Sequence, residues 1–211
     1  MRTITVKHNI YKYNELSEEA KGAAKKWYLD NQDSYIFEDM VNGDLYNLFG
    51  NINNDLAVQF SLSYCQGDGL NIYGHVSVED FINCIEGELA GELKQYSGML
   101  SKEEKAKLLE YAEYVPHIEL PENKRYEYCI ANEIDYYYQI CDYGIEDEEE
   151  IEIDCKLLWK FNDILHGAFT ALCKTYEEDG YKFFYEVDDD AMEVLCEANE
   201  WEFYGDGRIY Y

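Results

Sequence analysis

The sequence predicts an α+β protein whose sheet is mostly antiparallel and packed with several amphipathic helices. Two alternating apolar stretches, Leu56, Val58, Phe60, Leu62, Tyr64 and then Leu70, Ile72, Val76, Val78, flank Gln66-Gly67-Asp68-Gly69 and describe a hairpin. A helical stripe runs through Leu157, Leu158, Phe161, Ile164, Leu165, Ala168, Phe169, Leu172 and Tyr176. The close of the chain, EWEFYGDGRIYY, alternates again around a Gly-Asp-Gly turn and reads as a second hairpin. With 211 residues, 47 % of them apolar, the chain suffices for one domain, 1–211, or for two lobes, about 1–120 and 121–211.

From the start of the chain, alternation predicts a short strand near Thr3 to Val6. Ser17 then caps a helix that opens with Glu18 and Glu19, acids favoured by the helix dipole, and buries Ala20, Ala23, Ala24 and Trp27. Phe37, Met40, Val41, Leu45 and Leu48 mark a second helix despite Gly43, which costs about 1 kcal/mol relative to Ala. Both apolar sets of the first hairpin fall on even numbers. Facing pairs on one side of the sheet therefore require a loop of odd length, about three or five residues, with Gly67 or Gly69 at positive φ.

Ser77 with Asp80 caps a helix carrying Phe81, Ile82, Ile85, Leu89 and Leu93, and Ser101 with Glu104 forms a capping box before a helix ending near Pro116. A linker with Pro121 follows. Tyr126, Tyr128, Ile130, Ile134, Tyr136, Tyr138 and Ile140 then occupy even positions, which predicts one long strand or two joined by a bulge near Asn132. The helix of the 157–176 stripe is expected to stop at Gly180, and a short capped helix is expected from about Asp189 to Ala198.

Charge is the strongest compositional feature. Lys and Arg number 17 against 45 Asp and Glu, a net charge of −28 at pH 7. Self-repulsion on this scale weakens a compact state, so a use for it is expected. Apart from Lys94, no cation occurs from Trp27 to Gln95, and none occurs from Tyr126 to Cys155 or from Phe183 to Gly207. No apolar run approaches the ~18 residues of a membrane span and the N-terminus lacks the apolar stretch of a signal peptide, so the expected location is the cytoplasm.

Seven cysteines, an odd number, are widely spaced and contain no C-x-x-C, which argues against a disulfide framework and a zinc site. Four scattered histidines form no H-x-x-x-H or H-E-x-x-H pair. No nucleophile elbow or carboxylate motif points to catalysis, so the reading is of a non-enzyme without a cofactor or metal.

Three stretches, YKYNELSEEAKGAAKKW, FSLSYCQGDG and ALCKTYEEDGYKFFYEVDDDAMEVLCEANEWEFYGDGR, together resemble an uncharacterised family of phage- and prophage-encoded proteins with an ELSEEAK-type opening, an SQGDG-type hairpin and an ANEYEF-x-x-DGR-type close. The resemblance implies a genomic setting rather than a mechanism. By analogy with small acidic phage proteins that counter restriction enzymes and CRISPR effectors, it implies an anti-defence inhibitor, acting in the host cytoplasm.

Carboxylates at alternate strand positions lie roughly 6.6 Å apart and those at i,i+4 on a helix roughly 6 Å apart, against a phosphate about every 3.4 Å of axis per DNA strand. Rows of acids thus imitate a phosphate row loosely. The expected partner is a basic host protein, a nucleic-acid-binding defence effector, reached by fast, salt-sensitive association, while direct nucleic-acid binding is disfavoured by repulsion. Candidate contact residues are the run Glu146, Asp147, Glu148, Glu149, Glu150, Glu152 and Asp154 and the triplet Asp188, Asp189 and Asp190. The plain alternative is that these runs are solvated faces. Two other classes stay open: a binder or enzyme acting on a small-molecule defence signal near the Gln66–Gly69 hairpin, and an antitoxin-like or structural phage protein.

Overall fold

In the computed structural model the residues described are 1–4, 6–50, 55–122, 134–143 and 152–210, the side chains of 88–90 apart. They form an α+β fold with two three-stranded antiparallel sheets. Contacts group the chain into two compact units, 1–36 with 180–211, and 37–179. The boundary considered near residue 120 lies inside the second unit.

The first unit combines the two ends of the sequence. Strand β1 (Ile10–Tyr11) pairs with β5 (Glu202–Tyr204), which pairs with β6 (Ile209–Tyr210), the predicted terminal hairpin. Among the described residues of the predicted early strand, Thr3, Ile4 and Val6 are not in a strand. Ile4 and Val6 are 83 % and 64 % exposed, and Ile10 and Tyr11 are the residues that find a partner strand. Helix α1 (Glu18–Asp30) begins at Ser17, whose hydroxyl accepts from the Ala20 amide at 3.3 Å. Its Ala20 and Ala24 join Tyr13, Leu16, Phe203 and, from α7 (Asp189–Ala198), Met192 and Cys196 in one core, with Trp27 edge-on to Trp201 at 5.1 Å.

The second unit holds the first hairpin. Strands β2 (Asp55–Ser61) and β3 (Gly69–Ser77) pair Leu56 with Gly74, Val58 with Ile72 and Phe60 with Leu70, the even-to-even register expected. The loop between them is odd but seven residues long, and both Gly67 (φ 96°) and Gly69 (φ 154°) are at positive φ. Strand geometry ends early because Asp68 draws the loop together. Its Oδ2 accepts from the Ser63 and Cys65 amides at 2.6 and 2.9 Å and its Oδ1 from Ser61 Oγ at 3.0 Å.

Strand β4 (His117–Leu120), which the linker reading missed, extends this sheet beside β3. Helix α2 (Ser34–Phe49) tolerates Gly43 and buries Phe37, Val41, Leu45 and Phe49. Helix α3 (Val78–Glu86) is capped by Ser77 as expected but stops at Gly87. A 3₁₀ segment (Glu88–Tyr96), kinked at Gly91, then delivers Leu93 to the core, so the run from Phe81 to Leu93 is not one helix. Helix α4 (Lys102–Ala112) carries the predicted Ser101–Glu104 capping box.

The predicted strand at 126–140 is corrected over its described part. Residues 126–133 lie outside the described residues, and α5 (Tyr136–Asp142) is helical. Positions four apart share a face in a strand and in a helix alike, so Tyr136 and Ile140, both buried, satisfy either pattern. Asp135 decides it locally, its carboxylate accepting from the Tyr138 amide at 3.0 Å as a helix cap.

Helix α6 (Cys155–Tyr185) continues through Gly180 instead of ending there. Gly180 is buried and does not adopt the left-handed conformation of a glycine C-cap. The part of α6 within the second unit packs Phe161 and Phe169 against Phe81 of α3 at 5.8 and 5.9 Å between ring centres.

Candidate functional site

The acids are placed by folding energetics. An unpaired carboxylate is costly to bury, and none of the described Asp or Glu side chains is buried; the buried polar residues are Asn71, Ser77 and Asn162. Ion pairs that neutralise part of the charge include Lys25–Asp189 at 2.5 Å, Lys105–Glu86 at 2.9 Å and Lys160–Glu104 at 2.7 Å.

Of the predicted contact residues, Glu146, Asp147, Glu148, Glu149 and Glu150 lie outside the described residues. Glu152 is exposed, and its backbone carbonyl accepts from the buried Tyr111 hydroxyl at 3.0 Å. Asp154 caps α6, its Oδ1 accepting from the Lys156 and Leu157 amides, each at 3.1 Å. The 188–190 triplet divides its work. Asp188 caps α7 through the Ala191 amide at 2.7 Å, and Asp189 accepts from Tyr13 Oη at 2.7 Å beside Lys25. Asp190 is exposed on the first turn of the same helix. Two of the three aspartates thus serve the fold of the first unit.

Electrostatics agree with that division. The hydrogen bond from Lys25, then that from Tyr13, holds the Asp189 carboxyl below its usual range. Burial, and after it the bond to Asp189, pushes the Tyr13 hydroxyl well above its usual value.

The sequence reading did not single out a cleft in the first unit, of about 510 Å³, whose lining includes Glu193, Glu197, Glu200, Glu202 and Trp201 together with Lys12. Helical spacing places Glu193 and Glu197 one turn apart on α7. The helix then ends in a Schellman motif: the Trp201 amide bonds the Cys196 carbonyl at 2.9 Å and the Glu200 amide bonds the Glu197 carbonyl at 3.3 Å. The left-handed residue of that motif, normally glycine, is Glu200 at φ 55°. A readable sign of this cleft was the i, i+4, i+7 spacing of Glu193, Glu197 and Glu200 within a span lacking Lys and Arg.

The Gln66–Gly69 loop is internally satisfied. Despite desolvation, the Cys65 amide and thiol and the Ser63 and Ser61 donors hold the Asp68 carboxyl far below its usual range. Among the described residues no three His, Cys, Asp or Glu side chains are arranged to hold a metal ion, and no helix is long and apolar enough to cross a membrane. His166 donates to the Ile134 carbonyl at 2.5 Å, a structural bond at the start of α5.

No family model, curated protein or solved structure compared with the chain matches it.

Proposed function

We propose that this protein is an inhibitor of a host defence protein, of the anti-CRISPR or anti-restriction kind, that occupies a basic nucleic-acid-binding groove through its acidic surfaces. The observation that carries the reading is the display of a net charge of −28 with no described acid buried. A field of that sign attracts Lys- and Arg-lined grooves and accelerates encounter. The acidic cleft beside Trp201 adds a recess suited to cationic side chains. A guanidinium stacks on an indole face while its donors meet carboxylates, a pairing that a phosphate backbone does not offer. Phage origin comes from the resemblance of the three sequence stretches alone.

The test has two stages. The immobilised chain is exposed to lysate of a bacterial host at low and moderate salt, and each retained protein is then assayed for DNA or RNA binding with and without the chain. Support requires a dominant basic partner, lost as salt rises, whose nucleic-acid binding the chain blocks competitively. Retention of no basic protein, or of one that still binds nucleic acid normally, overturns the reading.

A further inference from the structure

Helix α2 is apolar on both of its sides. The side that enters the core carries Phe37, Val41, Leu45 and Phe49. At about 100° per residue, the opposite side of the same continuous helix carries Tyr35, Ile36, Met40 and Tyr46. Each of these four is 42–57 % exposed. A single exposed apolar side chain is ordinary, but four on one side of one helix form a patch, and such patches mark contact surfaces. Tyr and Met are residue types enriched at interfaces, and the unbranched Met side chain adapts its shape to what it meets.

Two further features of this side say what it receives. Gly43 lies on it, exposed, one turn from Met40, and a Cβ there would meet nothing within 4 Å. Glycine lowers the stability of a helix interior relative to every residue except proline. The fold does not require it at this position, since Gly43 is not at positive φ and no neighbour approaches it. Its missing side chain leaves a notch at which a second helix can come close. Asp39 and Asp44 flank the stripe of Ile36, Met40 and Gly43, one on each side. Neither forms an ion pair among the described residues. No Lys or Arg occurs from Tyr28 to Leu93, so the sequence around α2 supplies no cation to them.

We propose that the outward side of α2 is a docking surface for a basic amphipathic helix of a partner protein. An apolar side chain of that helix enters the notch at Gly43 against Ile36 and Met40, and Lys or Arg on its flanks meet Asp39 and Asp44. Charge selects this occupant over two others. A second copy of the chain would bring the same two aspartates and its own net charge of −28 to the contact, and like charges set against each other oppose association. An anionic membrane surface repels these acids as well, and the helices it attracts carry Lys and Arg on their polar face. The surface uses none of the residues of the acidic cleft and needs no nucleic-acid-binding groove in the partner, so it stands independently of the inhibitor reading.

The full chain is titrated at moderate salt into a fluorescent helical peptide of Leu and Lys at amphipathic spacing, and into a peptide of the same composition with the order scrambled. Anisotropy should show the amphipathic peptide bound at least about tenfold more tightly than the scrambled one. The double variant Ile36→Ser with Met40→Ser should weaken that binding at least about tenfold. Gly43→Gln fills the notch with a better helix former, so it should weaken binding while raising the melting temperature. Val194→Ser removes an exposed apolar side chain from α7 and should leave binding unchanged. The proposal is overturned if the two peptides bind alike, or if the α2 variants bind as the native chain does. It is equally overturned if sedimentation shows a dimer of the native chain that Ile36→Ser with Met40→Ser dissociates, or if vesicles of phosphatidylglycerol and phosphatidylcholine capture the chain through the same two residues.

Discussion

Lys25 Nζ stands 2.5 Å from Asp189 Oδ1, and the same carboxylate oxygen accepts from Tyr13 Oη at 2.7 Å. One aspartate thereby joins α1, the first turn of α7 and the buried Tyr13. Asp189→Ala is expected to lower the melting temperature, because a partly buried hydroxyl loses its acceptor, whereas Asp190→Ala should leave it within the range of an ordinary surface change, about 0.5 kcal/mol. Equal melting temperatures for the two variants would refute the structural role of Asp189.

The same group makes a pH prediction of fixed sign. Its native carboxyl titrates below the unfolded value, chiefly because of Lys25, so its stabilisation is present above the ordinary carboxylate range and is lost as pH falls through the native value. Tyr13 acts oppositely. Its native hydroxyl titrates above the unfolded value, so its contribution is complete below about pH 10 and declines as pH rises beyond that. Melting curves of the native chain and of Asp189→Asn should converge at low pH, and Tyr13→Phe should flatten the alkaline loss.

The hairpin and α2 supply a contrast between two glycines. Gly74 faces Leu56 at φ 112°, and a Cβ there would stand 1.7 Å from the Asp55 carbonyl oxygen. Gly74→Ala should cost at least about 2 kcal/mol, since backbone would have to move. Gly43 lies exposed in α2, where a Cβ would meet nothing within 4 Å, and its substitution by Ala should gain about 0.5–1 kcal/mol. Urea denaturation of the two variants checks both signs.

What was legible in the sequence follows from where local pattern and tertiary structure agree. Ser17, Ser77, Ser101 and Asp188 each cap a helix through a single short-range bond, so those starts were readable. Parity fixed the hairpin register but not the length of its loop, which depends on Asp68 binding donors up to seven positions away. Tyr136 and Ile140 were misread because a spacing of four is common to strand and helix. Gly180 was misread because a buried glycine inside a helix and a glycine that ends one differ only in φ. The acidic cleft was the least legible feature, since it joins α7 to residues near Tyr13 at the other end of the sequence.

Charge removal from the acidic run provides the next test of the proposed function. Replacing Glu146, Asp147, Glu148, Glu149 and Glu150 with Gln or Asn should leave folding intact or slightly improve it, as like charges are removed. Association with a basic partner should slow and its salt dependence become shallower, because rim charges act on encounter more than on residence time. Unchanged association at low salt would identify this run as a solvated stretch.

Glu200 separates stability from binding at the cleft itself. A side chain in the left-handed region costs roughly 1–2 kcal/mol relative to glycine, and nothing in the Schellman motif requires a carboxylate there. Glu200→Gly is therefore expected to stabilise the chain by about 1 kcal/mol, a rise in melting temperature of roughly 2–4 °C. Glu200→Gln keeps the left-handed strain and removes only the charge, so its melting temperature should stay near that of the native chain. If the cleft receives a cationic side chain, both variants should bind a basic partner more weakly by a similar factor, although one is more stable and the other is not. If both bind as the native chain does while Glu200→Gly melts higher, the strain at Glu200 has no binding role and the cleft is not the contact surface.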